Sequence, residues 1–548
     1  MTNALRVKEW YRVIERVSIL GFVLVGLLVL LSSPAHLSPV PNQDGDIEPL
    51  QALASVMPNQ GWAPLTVYFN AFGSSAVDGE IIEYRWDLDG NGRFDTDATA
   101  EDGYTNYTYA VPGDYVVTLE IVDSNGHVAT ASVTLQVRHP ASSSVDYWTI
   151  FDDTEVRRVD LLVSQQNWDQ LWADPIAKVR VNADVIVFGE RFNDVSLRMR
   201  GHFSLSEAGA KKPWAIDFDA YVEGQEYHNL KQLLFTNNIG DASMLQATLA
   251  FDMMRFAGVP ASHINFVEIW VDITDDDAAP LYLGVYNMIE RVDRKFLGNR
   301  FGQDNDDGNL YQATHALRGP MDLVYYGDRI EDYPTQNGLY SFGKETNEEE
   351  ADYSDIIQLC YVIDGVDYAT PEDFAQALEP VFNVDGFLRY MAVVVTLSNW
   401  DIYPYTGNNY FLYHNPGAGQ FEWIPWDLSW GLGERTDQPL FELSGHRLSP
   451  YAPLYERVFA VERYRRQFAA YVDLLSRTWF TYPNVYHLAQ TYHDLIAPYV
   501  VQSTGDQMYF GDTAWFTRQQ FDDSWIGLAN RAAERSAYIQ TILQSYRD

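Results

Sequence analysis

The sequence of 548 residues predicts a multidomain protein, in which a β-sandwich of the immunoglobulin-like kind precedes an α+β domain of two lobes. Two observations support this fold class. Residues 52–138 alternate apolar and polar side chains in short runs that turn residues separate, a pattern typical of antiparallel sandwiches. Residues 147–548 begin with strand patterns and show mostly helical periodicity after residue 351, which is typical of an α+β domain.

Residues 1–35 are predicted to be a signal peptide or an N-terminal membrane anchor. Basic residues precede an uninterrupted apolar run over residues 17–31, whose length lies between that of a signal-peptide core and that of a membrane span. The basic flank predicts that this end stays in the cytoplasm and that the rest of the chain is exported. We therefore expect an extracytoplasmic protein, either secreted or tethered to the cytoplasmic membrane, and cleavage of the segment stays open.

Composition narrows the classes of function. The chain has 37 Lys and Arg residues against 76 Asp and Glu residues, a net charge of -39 that repels phosphate backbones and argues against nucleic acid as a partner. The single cysteine, Cys360, excludes an intramolecular disulfide and a zinc site made of cysteine pairs. The sequence has no His-x-x-x-His pair, no Gly-x-Ser-x-Gly motif and no Walker loop, so it does not support a zinc hydrolase, an α/β-hydrolase or a P-loop enzyme.

A polar linker over residues 36–51 leads into the predicted sandwich. Three segments of the sandwich, at residues 63–67, 84–90 and 112–119, resemble the polycystic-kidney-disease (PKD) domain. The resemblance covers nearly all of residues 52–138. It implies a spacer or binding module of surface proteins that carries out no chemistry itself.

A candidate calcium loop lies within this domain. Asp87, Asp89, Asn91 and Asp95 place oxygen-bearing side chains at alternate positions, as in a calcium-binding loop. The twelfth position of such a loop should carry a bidentate Glu, and here it is Ala98. The alternative is an acidic turn that joins two strands, so Ca²⁺ binding and a plain turn both stay open.

A Ser-rich linker over residues 139–146 divides the sandwich from the domain at 147–548. The change from uniform alternation to mixed patterns across this linker predicts two separately folded bodies. Limited proteolysis of the full chain should therefore cut near the linker and leave a stable large fragment, which mass spectrometry would identify. An uncut linker together with a single cooperative unfolding transition would contradict this prediction.

The second domain begins with strand patterns, followed by a helix predicted from about Ser243 to Ala257. Ser243 is the expected N-cap, and Gly258 with Pro260 should end the helix. The predicted strands lie at residues 178–182, 195–200, 266–271 and 281–286.

The most informative segment is a predicted hairpin with aromatic strands at residues 410–413 and 421–426. Asp401, Asn408 and Asn409 precede this hairpin, and Asp427 follows it. Because both ends of a hairpin lie at the same edge, folding should bring these side chains together.

Two carboxylates and a carboxamide at one hairpin end suit Mg²⁺, which takes oxygen ligands and nucleotide phosphates. Protein kinases have the same layout, with a catalytic Asp and an Asn before a hairpin and a metal-holding Asp after it. The alternative is a hairpin end that is structured by calcium or simply solvated.

This segment and four others resemble the CotH (spore-coat protein H) family of atypical protein kinases. The other segments are Leu197–Gly201, Lys211–Trp214, Gly284–Asp293 and Asp307–Tyr311. The resemblance runs through most of residues 149–545. It implies a kinase-like fold that binds ATP with Mg²⁺ and phosphorylates Ser or Thr on proteins of the cell surface or coat, or on the chain itself.

The resemblance also implies a role for each residue of the hairpin end. Asp401 would be the catalytic-loop aspartate, and Asp427 would hold the metal ion. Asn409, or its neighbour Asn408, would be the second metal ligand.

Four further residues would serve the nucleotide by the same resemblance. Lys212 or Lys211 would neutralise its phosphates, and Glu290 would orient that lysine. Arg200 would contact phosphate. The alternatives stay open, since the lysines also fit a strand-edge charge pair, Glu290 a pair with a neighbouring arginine, and Arg200 a structural role.

Two departures from the family pattern matter for activity. A second Asp is frequent in the family where this chain has Ser429, and an Asn is usual where it has His202. If the second Asp is an essential metal ligand in the family, its absence at Ser429 implies weak nucleotide binding or an inactive chain. The second hypothesis is therefore a catalytically inactive surface protein that serves adhesion or polymer binding on the same fold.

Overall fold

The computed structural model describes residues 50–138, 149–206, 211–433, 435–442, 452–500, 502–504, 507–508 and 516–547. The predicted signal or anchor segment and the linker at 139–146 lie outside these ranges. Within them, no helix is both long and apolar enough to cross a membrane.

Residues 50–138 form the β-sandwich that the sequence predicts over residues 52–138. It begins two residues earlier because Leu50 and Gln51, predicted as the end of a linker, pair with Ala76 and Ser75. One sheet has the strand order β2-β4-β8 and the other β3-β10-β9-β6-β7. Alternate residues of β9, among them Val117, Leu119 and Ile121, are fully buried between the sheets, where Phe69 packs on Trp86 with ring centroids 5.4 Å apart. The strands are β1 Leu50–Gln51, β2 Ser55–Met57, β3 Gln60–Trp62, β4 Leu65–Asn70, β5 Ser75–Ala76, β6 Ile81–Asp87, β7 Thr96–Asp97, β8 Thr105–Tyr109, β9 Gly113–Asp123 and β10 Val128–Arg138.

The first lobe of the larger domain, called the barrel lobe here, spans residues 149–289 and contains a closed barrel. The strand order is β11-β12-β13-β14-β15-β17-β16, and parallel pairing of β16 with β11 closes the ring. Its strands are β11 Arg157–Val163, β12 Val181–Val187, β13 Glu190–Met199, β14 Trp214–Asp217, β15 Gln232–Thr236, β16 Ile264–Ile273 and β17 Leu281–Ile289. Its helices are α1 Gln165–Ala173, α2 Phe203–Ser206 and α3 Gln246–Phe256.

Helix α3 is the helix that the sequence predicts, but it begins three residues later than expected. Its N-cap position is Leu245, whose side chain makes no capping hydrogen bond. Asp241 instead satisfies the first turn, since its Oδ2 accepts a hydrogen bond from Gln246 N at 2.8 Å and its Oδ1 accepts one from Ser243 N at 2.9 Å. The prediction considered Ser243 as the N-cap and did not consider Asp241, which lies two residues before it. The end is as predicted, because Gly258 adopts a left-handed φ of 82° and turns the chain.

The second lobe, called the helical lobe here, spans residues 294–547. Its helices are α4 Arg294–Phe301, α5 His315–Arg318, α6 Ser354–Cys360, α7 Pro371–Leu378, α8 Val384–Thr396, α9 Tyr403–Thr406, α10 Pro453–Val458, α11 Glu462–Arg477, α12 Tyr482–Ile496 and α13 Arg518–Arg547. Its strands are β18 Leu310–Ala313, β19 Thr335–Gln336, β20 Leu339–Tyr340, β21 Phe342–Lys344, β22 Tyr410–Asn415, β23 Gln420–Pro425, β24 Gln502–Thr504 and β25 Gln507–Met508. A strand-rich lobe before a helix-rich one confirms the predicted α+β class.

The central element of the helical lobe is α8, which is buried along nearly its whole length. Phe387 of α8 packs on Trp423 with ring centroids 4.9 Å apart, and Trp423 stacks on Tyr410 at 4.1 Å. Strands β22 and β23 are thereby held against α8. Aromatic packing of this kind fixes where the ends of the hairpin lie.

Candidate functional site

A cavity of about 420 Å³ lies between the barrel lobe and the helical lobe. It brings together five of the residues that the sequence singles out, namely Arg200, Asp401, Asn408, Asn409 and Asp427. Both positions that depart from the family pattern, His202 and Ser429, also line it. The structure therefore places most of the predicted site in one cleft.

The hairpin itself explains why four of these residues meet. Tyr410 of β22 lies opposite Pro425 of β23, and a backbone hydrogen bond of 3.0 Å from Trp426 N to Asn409 O continues the ladder by one residue. Asn409, just before β22, and Asp427, just beyond β23, both adopt a left-handed backbone conformation, with φ of 64° and 43°. Asn and Asp tolerate this conformation better than other non-glycine residues.

Asp401 lies five residues beyond the end of α8, and its carboxylate is hydrogen-bonded. The amide nitrogen of Asn409 donates to Asp401 Oδ2 and to Asp401 O, both at 2.9 Å, while Asp401 N donates to Asn399 Oδ1 at 3.0 Å. Burial and the nearby carboxylate of Asp427 raise the pKa of Asp401 to about 6. A carboxylate with such a pKa can both take up and release a proton near neutral pH.

Asp401 and Asp427 both line the cavity, but Asp427 is exposed whereas Asp401 is partly buried. The hydroxyl of Ser429 donates to Asp427 Oδ1 at 2.7 Å. Ser429 thus orients the carboxylate that precedes it, although it replaces a frequent family aspartate. The replacement removes one negative charge from the cavity wall.

The two asparagines differ in what their side chains contact. Asn408 Oδ1 accepts a hydrogen bond from His315 N at 2.9 Å, at the start of α5. The amide nitrogen of Asn409 is bonded to Asp401, which leaves its oxygen for another partner. This arrangement favours Asn409 over Asn408 as a metal ligand.

The oxygen atoms of Asp427 and Asn409 fit Mg²⁺, which keeps waters and phosphate oxygens in its remaining positions. Among the described residues, no group of three or more His, Cys, Asp or Glu side chains could hold a metal ion.

Arg200 is the residue directly after β13, and it lies in the wall of the cavity. Its backbone N donates to Pro213 O at 3.0 Å, which fixes its position beside the end of the barrel. Burial lowers the pKa of Arg200 to about 10, and the carboxylate of Asp427 opposes this shift. The guanidinium stays charged at neutral pH, and its planar donors suit a phosphate.

Neither Lys211 nor Lys212 is among the described residues that line the cavity. Lys212 Nζ donates to Leu205 O at 3.1 Å, and Lys211 Nζ lies 5.0 Å from the ring centroid of Tyr286. Burial lowers the pKa of Lys211 to about 7. Both lysines are buried next to the cleft, and their role toward phosphate stays a prediction.

Glu290 is buried and pairs with an arginine that sequence reasoning did not consider. Arg300 donates to both of its carboxylate oxygens, at 2.8 Å and 2.5 Å, and His263 N donates to one of them at 2.9 Å. The two arginines considered as alternatives lie elsewhere, since Arg291 is 3.7 Å from Glu345 and Arg294 donates to Asn347. Whether Glu290 also orients a lysine stays a prediction.

The part of the cavity wall that follows β15 was not predicted from the sequence. Asn237 and Asn238 line the cavity, and their amide nitrogens donate to Lys211 O at 2.8 Å and Asn287 Oδ1 at 2.6 Å. An Asn pair directly after a strand pattern was the signal in the sequence. The cavity also has an apolar wall that no spacing in the sequence reveals, formed by Ala247, Phe251, Ile264, Ile289 and Trp426.

The candidate calcium loop lies in the sandwich, apart from this cavity. Both carboxylate oxygens of Asp87 accept backbone hydrogen bonds, from Gly90 N at 2.9 Å and Gly92 N at 2.8 Å. Asn91 Oδ1 likewise accepts one from Arg93 N at 2.8 Å. These are the contacts of an acidic turn, so they support that alternative, and Ca²⁺ binding stays a prediction.

The fold and the cavity define the protein as a two-lobed α+β domain behind a β-sandwich, with the candidate site in the cleft between the lobes. A family model described as CotH kinase protein matches residues 197–539, and one described as PKD domain matches residues 54–137. The first match spans more than half of the chain. The chain therefore belongs to the CotH kinase family, and its sandwich is a PKD domain.

Solved structures similar to the chain include two bacterial PKD domains. The PKD1 domain of Vibrio cholerae metalloprotease PrtV is 28% identical over 16% of this chain and 95% of that one, with a TM-score of 0.13. The PKD1 domain of Vibrio anguillarum Epp is 29% identical over 17% of this chain and 100% of that one, with a TM-score of 0.14. No curated protein matches the sequence.

Proposed function

We propose that the protein is an exported atypical protein kinase that transfers the γ-phosphoryl group of ATP to Ser or Thr of surface or coat proteins, or of the chain itself. The observation that carries this proposal is the meeting of Asp401, Asn409 and Asp427 in a cleft between two lobes. Membership of the CotH kinase family supports it. The PKD domain would act as a module outside the cytoplasm.

The cleft offers complementary surfaces for the base and the phosphates of ATP. Its apolar wall, which includes Phe251 and Ile264, suits a planar base, and Arg200 suits a phosphate. Asp427 and the carboxamide oxygen of Asn409 would hold Mg²⁺. When bound, Mg²⁺ would neutralise negative charge on the phosphates.

The carboxylate of Asp401 would act on the acceptor. It accepts the proton of a Ser or Thr hydroxyl as the hydroxyl oxygen forms a bond to the γ-phosphorus, and the bond from that phosphorus to the β,γ-bridging oxygen breaks. The hydrogen bonds from Asn409 hold the carboxylate in place for this step. ADP leaves with the electron pair of the broken bond, and Asp401 then releases its proton to water.

A second candidate function is the catalytically inactive surface protein. The observation that favours it is Ser429, which leaves the cavity one carboxylate short of the frequent family pattern. The two candidates differ in whether Mg-ATP binds and reacts.

Mg-ATP should stabilise the full chain against thermal unfolding if the proposal is right. A ligand at 100 times its dissociation constant stabilises the folded state by about 2.7 kcal/mol. Differential scanning fluorimetry with ATP and Mg²⁺ should show this shift, and ATP with EDTA should show a smaller one. Transfer of label from γ-labelled ATP to casein or to the chain itself would establish the reaction. Absence of both the shift and the transfer would favour the inactive surface protein.

The pH dependence of the reaction should follow Asp401. Because the carboxylate form accepts the proton, kcat/KM should fall as pH decreases through about 6, the value to which burial and Asp427 raise the pKa of Asp401. Removing the neighbouring charge in Asp427→Asn should lower the midpoint of the residual activity. A kcat/KM that stays constant down to about pH 5 would exclude Asp401 as the base.

A further inference from the structure

The PKD domain packs directly on the kinase-like domain. Met57 and Phe72 are buried in the same apolar cluster as helices α3, α8 and α11. Tyr68 faces Phe256 of α3, with ring centroids 6.1 Å apart. This contact is distinct from the sandwich core, which has its own cluster of buried residues.

Buried polar contacts join the sandwich to α11. Asn70 donates to Ala470 O and to Asp473 Oδ2, both at 3.1 Å, and Asn70 and Asp473 are both fully buried. Arg466 is 3% exposed and donates to Ser75 Oγ at 3.0 Å and Gln51 Oε1 at 3.1 Å. Charged groups are costly to bury unless they have partners. Glu462 and Arg477 of α11 pair with Arg466 and Asp473, and the PKD domain supplies the further hydrogen-bond partners Asn70, Ser75 and Gln51.

Arg389 of α8 links three parts of the molecule at one point. Its Nη1 donates to Val56 O of the PKD domain at 2.9 Å and to Ala257 O, at the end of α3 in the barrel lobe, at 3.1 Å. Its Nη2 donates to Tyr471 OH of α11 at 2.9 Å. Its Nε donates to Asp385 Oδ2 of α8 at 2.8 Å, and with the residue only 3% exposed these four partners replace nearly all of its water.

The PKD domain also contacts the turn that leads from α3 into the barrel. Gly258 lies so close to it that a Cβ there would be 2.1 Å from Asn59 Oδ1. Gln60 Nε2 lies 3.5 Å from Gly258 O. The sandwich therefore contacts both lobes. It contacts α8 and α11 of the helical lobe, and it contacts the end of α3 in the barrel lobe.

We infer that the PKD domain is a docked third body that holds the two lobes of the kinase-like domain in one orientation, through a surface made by Arg389, Arg466 and Asp473. This role differs from that of a spacer, because a spacer needs no buried polar contacts with its neighbour. The inference does not depend on kinase activity.

Cutting the linker tests the docking directly. A protease recognition sequence is inserted between Ala141 and Ser142 of the full chain, which carries a C-terminal affinity tag. After cleavage, the PKD fragment should stay bound to the captured kinase-like fragment in equal amount through extensive washing. A wild-type PKD fragment that washes off would overturn the inference.

Two neighbouring arginines of α11 provide a matched pair of variants. Arg466→Met removes contacts to the PKD domain, whereas Arg465→Met removes a contact to Tyr546 OH of α13. Arg466→Met should raise the dissociation constant of the cut fragment about tenfold or more, as expected for lost charged hydrogen bonds, and Arg465→Met should not. Asn70→Ala should act like Arg466→Met from the PKD side, and it decides the matter if Arg466→Met does not fold. Retention of the fragment at wild-type affinity in Asn70→Ala, and in Arg466→Met if that variant folds, would also overturn the inference.

Hydrogen exchange tests the link between the lobes. In the uncut chain, Arg389→Met should speed amide exchange in β2 and around residues 254–259, which belong to different domains and are joined by the donation of this arginine to Val56 O and Ala257 O. Arg465→Met serves again as the control and should leave both regions unchanged. Unchanged exchange in both regions of a folded Arg389→Met would contradict the role of Arg389 as a link.

Discussion

Asp427→Asn is expected to weaken Mg-dependent ATP binding by about 100-fold or more and to lower turnover with it, since even outer-shell partners of a metal change its affinity by about 10- to 100-fold. Asp427 lies two residues after β23 and lines the cavity together with Asn409 and Arg200. The amide keeps the size and the left-handed backbone preference of the residue but loses the negative charge that attracts the cation. Isothermal titration with ATP at fixed Mg²⁺ measures the loss.

Ser429 provides the matched variants for this experiment. Ser429→Ala removes only the hydrogen bond to Asp427 and should weaken binding by a smaller factor. Ser429→Asp restores the frequent family pattern and should tighten Mg-dependent binding. Because Asp427 is exposed, melting of Asp427→Asn without ligand should match that of the wild type. Wild-type affinity for Mg-ATP in Asp427→Asn would rule out Asp427 as the metal ligand.

The hairpin end was predictable from sequence because everything that defines it is local. Turn residues divide two aromatic strands, and polar residues flank the pair within about 30 positions. Pairing of Tyr410 with Pro425 then brings Asn409 close to Asp427. No contact distant in sequence is needed for this part of the site.

The partners of Glu290 and the lysines were not predictable in the same way. Glu290 pairs with Arg300, which lies on the next helix and reaches back over ten positions. Lys211 is surrounded by groups from the barrel, among them Tyr286 and Asn237, whose approach depends on how the barrel closes. Spacing along the chain carries no information about such closure.

Docking of the PKD domain could not be predicted from the sequence either. The alternation of its strands predicts a sandwich but not which residues of its surface are buried by a neighbour. Asn70 reads as the polar end of a strand, yet it is fully buried and bonded to Asp473, which is 403 positions away. From the sequence, Arg389 and Arg466 belong to the charged faces of amphipathic helices, yet both are buried. The spacing of apolar and charged residues does not show whether such a face contacts solvent or another domain.

Asp401→Asn is expected to lower turnover by a factor of about 10² to 10⁴, the usual range for loss of a general base, while Mg-ATP affinity stays nearly unchanged. In the proposed mechanism Asp401 faces the acceptor, and its carboxylate is bonded to Asn409 rather than to Arg200, the proposed phosphate contact. The new amide oxygen can still accept the hydrogen bond from Asn409, so the loop should keep its conformation. Single-turnover transfer with labelled ATP, together with ATP titration, separates the two effects.

The stability of Asp401→Asn provides an independent check with a defined sign. The pKa of Asp401 is raised to about 6, above the value of an unfolded chain, so the native state binds more protons than the unfolded state between those two values. The charged carboxylate therefore lowers the stability of the wild type as pH rises through this interval. The substituted amide carries no such charge, so the variant should melt at the same temperature as the wild type or slightly higher at neutral pH. Full turnover in Asp401→Asn, or a loss of Mg-ATP affinity as large as that of Asp427→Asn, would reject the separate roles assigned to the two aspartates.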